Sequence, residues 1–490
     1  MERVLAGLQP EKYFYYFEEI SRIPRSSYQE KAVSDYVVAF AKERGLRVVQ
    51  DEAWNVLISK PATPGYEGRK GIMLQGHMDM VCVADEGVTH DFTRDPIELM
   101  IEEDWVTARG TTLGADNGTA VAMMLMLLDS DEVPHPAIQC IFTTGEEIGL
   151  EGCSRLDPKL FEGSYLINMD GGGFEKLLLS SAGASNHLFR IEKELHPLAE
   201  TSAKTAFRLQ VGGMNSGHSG SLIHRCMGNA IKILGDYLND IQEALPMELA
   251  DFTGGLKMNA IAKAAEAVIV IRREDQARLT EELAELQEVT RKEYAPIDPG
   301  AFFTWEEVSL PEACYSQAAQ RKLLHFIDLL IDGTYKFMDE SKSMARTSNN
   351  IGILSNVGSK VEGNCLMRSN SDYQHAELCR KTELMTKLLG VEHEIKNPFP
   401  AWEYDPESGL VKRLMALYEK ELGYRPEVVM THGGMEPGTI VGLARSVGKK
   451  VEAMNMGVKC EGAHTTAERM NIPAVEATWN WLKKILISLD

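Results

Sequence analysis

The sequence predicts an α/β layered domain that is interrupted by a separate α+β unit, and three observations lead to this class. First, 490 residues exceed what one hydrophobic core usually supports, so two domains are expected. Second, apolar strand patterns alternate with helical patterns over residues 1–184, which is typical of an α/β sheet. Third, the pattern changes from residue 185 onwards to long amphipathic helices separated by single strands.

The first part of the chain supplies the elements of the layered domain. Helices are predicted where apolar residues recur at i, i+3 and i+4, and strands where short apolar runs end in turn residues. The helix over 119–128 is apolar on nearly every face, so we expect it to be buried. In chain order, the predicted elements are helices 12–23 and 27–44, strands 46–50, 55–60 and 72–76, helix 119–128, and strands 137–142 and 165–169.

The inserted unit is predicted over residues 185–396, which leaves 1–184 and 397–490 as one discontinuous domain. A segment with two prolines at 397–402 marks the return of the chain to that domain. The remaining predicted elements are strands 207–211 and 266–272 with helices 226–244, 274–294 and 318–337 in the insert, and helix 410–422, strand 428–431 and helix 474–489 after it.

The net charge of the chain indicates which classes of molecule it is expected to bind. Lys and Arg number 51 against 72 Asp and Glu, a formal net charge of −21. A field of this sign repels phosphate groups, so neither nucleic acid nor a membrane is expected as a partner, whereas divalent cations are. No run approaches the roughly 20 apolar residues of a membrane span. The start of the chain lacks the apolar core of a signal peptide, and the eight cysteines have no framework spacing, so a cytoplasmic location is expected.

Metal-type ligands follow strand ends or lie in Gly-bearing loops at five places. They are His77 with Asp79, Asp116, Glu146 with Glu147, Asp170, and His464. Each has an ordinary structural explanation by itself; two adjacent acids, for example, suit the first turn of a helix. One shared site explains all five together, because two histidines and three acids can hold two Zn²⁺, Co²⁺ or Mn²⁺ ions if one carboxylate bridges them. Such a pair of ions polarises a carbonyl group and activates a water molecule.

Other catalytic classes lack their motifs. No Gly-x-Ser-x-Gly turn is present, no cysteine lies in a recognisable Cys/His setting, and the loop at 114–118 is not followed by the Gly-Lys-Ser/Thr of a phosphate-binding loop. The sequence itself therefore favours hydrolysis at a pair of metal ions. Within that site Asp79, two residues beyond His77, is placed to orient the imidazole.

The motifs around these residues resemble those of one known family. The similarity runs in the family's order through residues 75–81, 108–118, 144–149, 167–170, 215–220, 254–261, 366–369, 432–438 and 462–465. On these segments the chain resembles the aminoacyl-histidine (Xaa-His) dipeptidases, a branch of the dinuclear-zinc exopeptidases related to carnosinases. The resemblance implies a three-layer αβα catalytic domain over 1–184 and 397–490, with 185–396 as an α+β lid domain.

The resemblance also implies a role for each matched residue. Glu146 is the implied general base, Asp79 steadies His77, and His218 of the lid stabilises the oxyanion. The implied ligands are His77, Asp116 and Asp170 for one ion, and Asp116, Glu147 and His464 for the other. The implied substrate-binding residues are Asn259, Arg368 and Glu436, at lid or rim positions, although Arg368 also suits a solvated surface position. Relatives differ in whether the lid histidine serves its own site or a partner's, so both arrangements stay open.

The predicted function is hydrolysis of unblocked dipeptides, with Xaa-His the favoured class, by attack of a metal-bound hydroxide. Two zinc ions are the expected cofactor, with cobalt or manganese as alternatives, and a homodimer through the lid is compatible with the pattern. Two other functions stay open. One is an amidase or deacylase that acts on N-acyl amino acids at the same site, and the other is a catalytically silent binding protein.

Overall fold

Two large sheets with their own helices form most of the fold, and the computed structural model describes residues 3–489 of the chain. The α-helices are α1 Glu11–Ser21, α2 Lys31–Glu43, α3 Ala115–Leu128, α4 Ala230–Ala244, α5 Gln276–Val289, α6 Gln317–Leu329, α7 Asp372–Leu389, α8 Gly409–Leu422, α9 Glu436–Ser446 and α10 Ile472–Ser488.

The strands divide between the two units. They are β1 Arg47–Gln50, β2 Val56–Lys60, β3 Ile72–His77, β4 Leu99–Glu102, β5 Trp105–Ala108, β6 Ile138–Thr143, β7 Tyr165–Asn168, β8 Leu177–Leu178, β9 Gly183–Glu192, β10 His196–Pro197, β11 Lys204–Gly212, β12 Glu248–Gly254, β13 Ala265–Arg272, β14 Phe302–Val308, β15 Ala313–Cys314, β16 Gly333–Phe337, β17 Ala345–Val357, β18 Lys360–Ser369, β19 Glu392–Phe399, β20 Val428–Val429, β21 Glu452–Asn455, β22 Cys460–Glu461 and β23 Arg469–Asn471.

Two compact units divide the chain. The first takes the described residues of Met1–Ser180, Trp402–Met430 and Met435–Asp490, and the second takes Ser181–Ala401 and Thr431–Gly434. The sequence prediction sets the crossings at 184/185 and 396/397, a few residues from these positions. It does not anticipate that four residues after the return, Thr431–Gly434, belong with the second unit.

The first unit is built on an eight-stranded sheet with the order β1-β2-β6-β3-β7-β21-β8-β20. Its centre is parallel, because β3 pairs in parallel with both β6 and β7. Every residue of β3, β6 and β7 is buried, as expected for strands covered on both faces. Helix α3 is buried along nearly its whole length, which confirms the burial predicted for 119–128. A smaller sheet, β22-β23-β5-β4, completes this unit.

The second unit contains a nine-stranded sheet, with the path β14-β11-β13-β12-β17-β18-β9-β19 and β16 paired to β17. One predicted element is wrong here. The helix expected over 318–337 ends at Leu329, and Gly333–Phe337 forms β16, which is antiparallel to β17. The chain leaves the helix at Leu330, which is already extended (φ −69°, ψ 121°), and Gly333, at a left-handed φ of +79°, begins the new strand. Among residues 3–489, no helix is long and apolar enough to cross a membrane.

Candidate metal centre

The carboxyl ends of three neighbouring strands bring three of the five predicted ligands, His77, Glu147 and Asp170, to one edge of the first sheet. His77 is the last residue of β3 and pairs with Thr143 at the end of β6, while Gln75 pairs with Asn168 at the end of β7. The residues that follow these strands therefore emerge side by side, at the edge where ligands bind in open α/β sheets. They include Asp79 after β3, Glu146 and Glu147 after β6, and Asp170 after β7.

Asp116 lies between two histidines and offers one oxygen to each. Its Oδ1 is 3.1 Å from His77 Nε2, and its Oδ2 is 3.3 Å from His464 Nε2. The Asp116 backbone is not helical, although it lies at the start of α3, and its peptide bond to Asn117 is cis. With one oxygen toward each imidazole, the carboxylate is placed where two ions could share it.

Three groups of side chains are spaced as metal ligands, with all ligand atoms within 4.8 Å of one another. They are His77 with Asp116 and Asp170, Asp116 with Glu147 and His464, and His77 with Glu146 and Glu147. The first two are the ligand sets that the resemblance implies. In the second set, His464 Nε2 is 3.0 Å from Glu147 Oε1. All five predicted ligands therefore meet in the first unit, and Glu146 lies among them.

Asp79 contacts two parts of this site, the imidazole of His77 and the loop of the two glutamates. The Nδ1 atom of His77 is 3.1 Å from the main-chain oxygen of Asp79 and 3.4 Å from its carboxylate. The same carboxylate accepts hydrogen bonds from the backbone N–H groups of Glu146 at 3.1 Å and Glu147 at 3.2 Å, and from the Ser27 hydroxyl at 2.8 Å. Asp79 therefore fixes the loop that carries both glutamates as well as the imidazole, a second contact that the sequence does not indicate.

The site brings several buried acids together, so bound cations would stabilise their charged forms. Burial, together with the charges of Asp170, Glu147 and Glu436, raises the pKa of Glu146 well above its usual range. Burial raises the pKa of Asp170 to about 7, with Asp116 adding to the effect. Burial also favours the neutral form of Asp116, but hydrogen bonds from His464 and His77 outweigh it and lower the pKa of that carboxyl.

The donor set fits two divalent ions. Each ligand set combines one imidazole with two carboxylates, Asp116 is common to both, and the imidazole and carboxylate types suit Zn²⁺, Co²⁺ or Mn²⁺. Two such ions would offset the crowding of acids that raises the pKa values of Glu146 and Asp170. Glu146 belongs to neither set and lies 4.0 Å from His77 Nε2, so it is the acid of this cluster that remains available for proton transfer.

The predicted lid residues His218 and Asn259 lie together in the second unit. Both are exposed, and the backbone joins them, because Ser219 N donates to Asn259 O at 2.9 Å. The Nδ1 atom of His218 accepts a hydrogen bond from Gly220 N at 3.1 Å. This bond assigns the ring proton to Nε2, since an accepting nitrogen cannot carry it.

Asp298, which sequence reasoning missed, holds both ends of the loop that bears His218. It is completely buried, and its carboxylate accepts from Asn215 N at 2.8 Å and from Gly228 N at 2.7 Å. No periodic or motif signal marks this residue, because its partners are backbone amides rather than side chains.

Arg368 is buried, with 7% of its surface exposed, so the surface alternative is wrong. Burial lowers the pKa of its guanidinium to about 10. Among residues 3–489 no Asp or Glu forms an ion pair with it, and its Nε atom has no hydrogen-bond acceptor. A buried cation without an acid is costly unless a ligand supplies the anion.

Glu436 belongs to the first unit, and not to the lid or to an exposed rim. It is the first residue of α9 and is 1% exposed. Its Oε2 atom accepts hydrogen bonds from Gln75 and from the Thr143 hydroxyl, whereas its Oε1 atom is buried without a donor. Burial raises the pKa of this carboxyl to about 7.

Comparisons with known proteins identify the family of the chain. The family model described as peptidase family M20/M25/M40 matches residues 73–488. The chain is 31% identical over 482 residues to the cytosol non-specific dipeptidase of Escherichia coli, covering 98% of each chain. It is 30% identical to the crystal structure of the aminoacylhistidine dipeptidase of Vibrio alginolyticus, with a TM-score of 0.88 over 99% of this chain and 98% of that one.

A more distant structure shares the fold alone. The aminopeptidase PepT of Bacillus cereus is 16% identical, with a TM-score of 0.55 over 98% of both chains. The fold class and the family expected from the sequence are thereby confirmed, and the chain belongs to the M20/M25/M40 family of metallopeptidases.

Proposed function

We propose that the protein is a metal-dependent dipeptidase that cuts unblocked dipeptides, with Xaa-His the favoured class. The observation that carries this proposal is the placement of Asp116, with one oxygen toward His77 and the other toward His464. Two relatives at 30% identity or more are named as a non-specific dipeptidase and an aminoacylhistidine dipeptidase. The second name supports the Xaa-His preference, and the first leaves a broader range of dipeptides as the alternative.

Glu146 is the proposed general base. When bound, the two ions would polarise the scissile carbonyl and lower the pKa of an attacking water. Glu146 takes the proton from that water and delivers it to the leaving amine, a task that suits a carboxylate whose pKa is raised. Glu147, by contrast, contacts His464 and is assigned as a ligand. The backbone bonds to Asp79 hold the loop from which the two glutamates extend.

The two ends of the substrate have separate proposed partners. The guanidinium of Arg368, which is buried without an acid, takes the carboxylate of the dipeptide, a pairing with two parallel hydrogen bonds. The unsatisfied Oε1 atom of Glu436 takes the free ammonium group. Each group has a buried polar atom that substrate would satisfy. Asn259 is assigned to substrate binding by the family pattern alone.

His218 is the proposed oxyanion donor, because its Nδ1 accepts from Gly220 N and its proton therefore lies on Nε2. Zinc is the proposed ion, with cobalt or manganese as the alternatives. The word cytosol in the name of the Escherichia coli relative supports a cytoplasmic location. A homodimer through the second unit stays a proposal, and with it the choice of which subunit His218 serves.

A dipeptide panel tests the reaction class. Protein stripped with a chelator should be inactive and should regain activity when Zn²⁺, Co²⁺ or Mn²⁺ is added. Unblocked dipeptides should be cut and their N-acetylated forms should not, because acetylation removes the charge that Glu436 is assigned to pair. Cleavage of the acetylated forms in preference to the free ones would instead favour the deacylase, and no turnover of either would favour the binding protein.

Glu146→Gln tests the assignment of the base. The variant should bind two ions and lose turnover by on the order of 10²-fold or more. Glu151→Gln is the matched control, because it changes the same acid in the same loop outside all three ligand groups. If Glu146→Gln retained normal turnover with both ions bound, the assignment of the base would be wrong.

A further inference from the structure

Two buried charged residues outside the ligand sets join the segments that carry the metal ligands. They are Arg25 and Glu468, each 2% exposed. Neither belongs to a group of side chains spaced as metal ligands. Both make their hydrogen bonds to backbone atoms, and those atoms lie next to His77 and Asp116. These hydrogen bonds join protein atoms to protein atoms and use none of the proposed ligand atoms.

Glu468 connects the segment of His464 to the loop of Asp116. Its Oε2 atom accepts from the N–H groups of Leu113 and Gly114, each at 2.8 Å, and its Oε1 atom accepts from Asp116 N at 2.9 Å. Both oxygens are therefore occupied by backbone donors, which makes Glu468 unsuitable as a metal ligand itself. Because carboxylate bonds to backbone amides are charge-assisted, three of them form a strong link.

Glu468 lies four residues beyond His464, in a tightly closed turn. Thr465 N and its hydroxyl both donate to Gly462 O, at 3.2 and 2.7 Å, and Glu468 N donates to Thr465 O at 3.1 Å. At Gly462 a β-carbon would lie 2.5 Å from the Ala467 carbonyl oxygen, so the turn has little room to change. Movement of Glu468 would therefore shift His464 relative to Asp116.

Arg25 makes the corresponding link on the side of the first ion. Its Nη1 atom donates to the carbonyl oxygens of Met78 at 3.0 Å and Asp79 at 3.3 Å, and its Nη2 atom donates to Gly114 O at 2.5 Å. Gly114 has no space for a side chain, since a β-carbon there would lie 2.4 Å from Nη2. The guanidinium thus ties the end of β3 to the same loop that Glu468 holds.

We propose that Glu468 is a positioning residue. It preorganises the site of the second ion by holding the Asp116 loop in a fixed position relative to His464. This inference rests on the proposed two-ion site. Arg25 supplies the opposite charge and the link to His77, so the three ligand-bearing segments keep their arrangement before any ion arrives. Residues that orient metal ligands in this way typically contribute 10–100-fold to metal affinity.

Metal titration of Glu468→Gln tests the proposal on the whole chain. Co²⁺ is titrated into chelator-treated protein, and His464→Gln identifies the binding step that belongs to the second ion. In Glu468→Gln the dissociation constant of that step should rise about 10–100-fold, and the other step should change less. Glu461→Gln is the matched control, because Glu461 pairs with Arg469 at the surface beside the same turn, and it should titrate like the wild type.

Hydrogen exchange of the wild type gives a second readout that does not depend on a variant folding. After chelation, the amides of Leu113, Gly114 and Asp116 should stay protected, because Glu468 and not the ion accepts from them. Rapid exchange of these amides, or unchanged binding of both ions by a folded Glu468→Gln, would overturn the proposal. A wild type that takes up no second ion would refute the two-ion site itself, whatever the amides do.

Discussion

Acid should destabilise the second unit through two buried histidines, His187 and His432. His187 is completely buried, and its ring nitrogens lie 2.8 Å from Ser185 Oγ and 2.9 Å from His393 Nε2. Burial lowers its pKa to about 3, with the neighbouring His393 and His375 adding to the effect. The ring is therefore neutral in the folded protein over the whole range in which a free histidine titrates.

His432, in the same unit, is also a buried histidine with a lowered pKa. Its Nε2 atom is 2.8 Å from Ser348 Oγ and its Nδ1 atom is 2.9 Å from Asn370 Oδ1. Burial lowers its pKa to about 3, and the charges of Arg368 and His224 contribute. Neither ring has an acid as its hydrogen-bond partner, so protonation of either would place an uncompensated charge in the interior.

The sign and size of the effect follow from these pKa values. An unfolded histidine has a pKa near 6.5, so the unfolded chain takes up protons first as the pH falls, and the free energy of unfolding decreases between about pH 6.5 and 3. Each pKa unit corresponds to about 1.4 kcal/mol. At pH 4.5 each histidine should therefore cost about 2.7 kcal/mol, and the pair about 5 kcal/mol, which approaches the total stability of many domains.

Native-state hydrogen exchange in β17 and β18 measures this effect within the unit. After correction for the intrinsic pH dependence of exchange, the wild type should lose about 5 kcal/mol between pH 7.5 and 4.5 from these two groups. His187→Gln and His432→Gln should each reduce that loss by about half, whatever they cost at pH 7.5. His325→Gln changes an exposed histidine on α6 and should leave the loss unchanged. If the double variant showed the same loss as the wild type, the reasoning would be refuted.

Three further changes test the site and its support. Asp298→Leu leaves two buried amides without an acceptor, so it should lower the free energy of unfolding by about 2–6 kcal/mol and lower kcat through His218, as measured by denaturation and steady-state kinetics. At Gly152 a β-carbon would lie 2.2 Å from a carbonyl oxygen, so Gly152→Ala should lower the free energy of unfolding by about 1–3 kcal/mol. The control Gly68→Ala adds a β-carbon that meets nothing within 4 Å, and it should leave Tm unchanged. Arg368→Met should lower kcat/KM for dipeptides about 10–100-fold, as for a lost charged hydrogen bond, but should not affect dipeptide amides; an equal loss on both would contradict its role.

The strand ends of the first unit could be predicted because the signal for them lies in a short stretch of sequence. A short apolar run that stops at a polar residue marks a buried strand, and parallel strands present their carboxyl ends together. His77 and the Glu146–Glu147 pair follow such runs. Asp116 and His464 lie in loops, where no periodicity exists, so their convergence depends on the tertiary fold. Their residue types allow them in a shared site, but only the family pattern assigns both of them to the same ion.

The features that the sequence does not reveal are mostly polar or charged residues that are buried. The β17 segment Thr347–Asn350 is fully buried yet entirely polar, so no apolar pattern marks the longest hairpin of the second unit. Arg25 and Glu468 are buried although charged residues are usually exposed, and their partners are backbone atoms that sequence does not distinguish. The same property conceals Glu436, whose burial beneath the strand ends becomes evident only from the contacts of Gln75 and Thr143.

The separate roles proposed for Glu146 and Glu147, which are adjacent in one loop, depend on how that loop is held. Both backbone N–H groups donate to the single carboxylate of Asp79, so the backbone of both glutamates is anchored at one residue. One side chain is then directed toward His464 at 3.0 Å and the other remains 4.0 Å from His77. With the loop held in this way, the proposed ligand Glu147 faces His464, and Glu146 lies outside both proposed ligand sets, which leaves it as the proposed carrier of the proton.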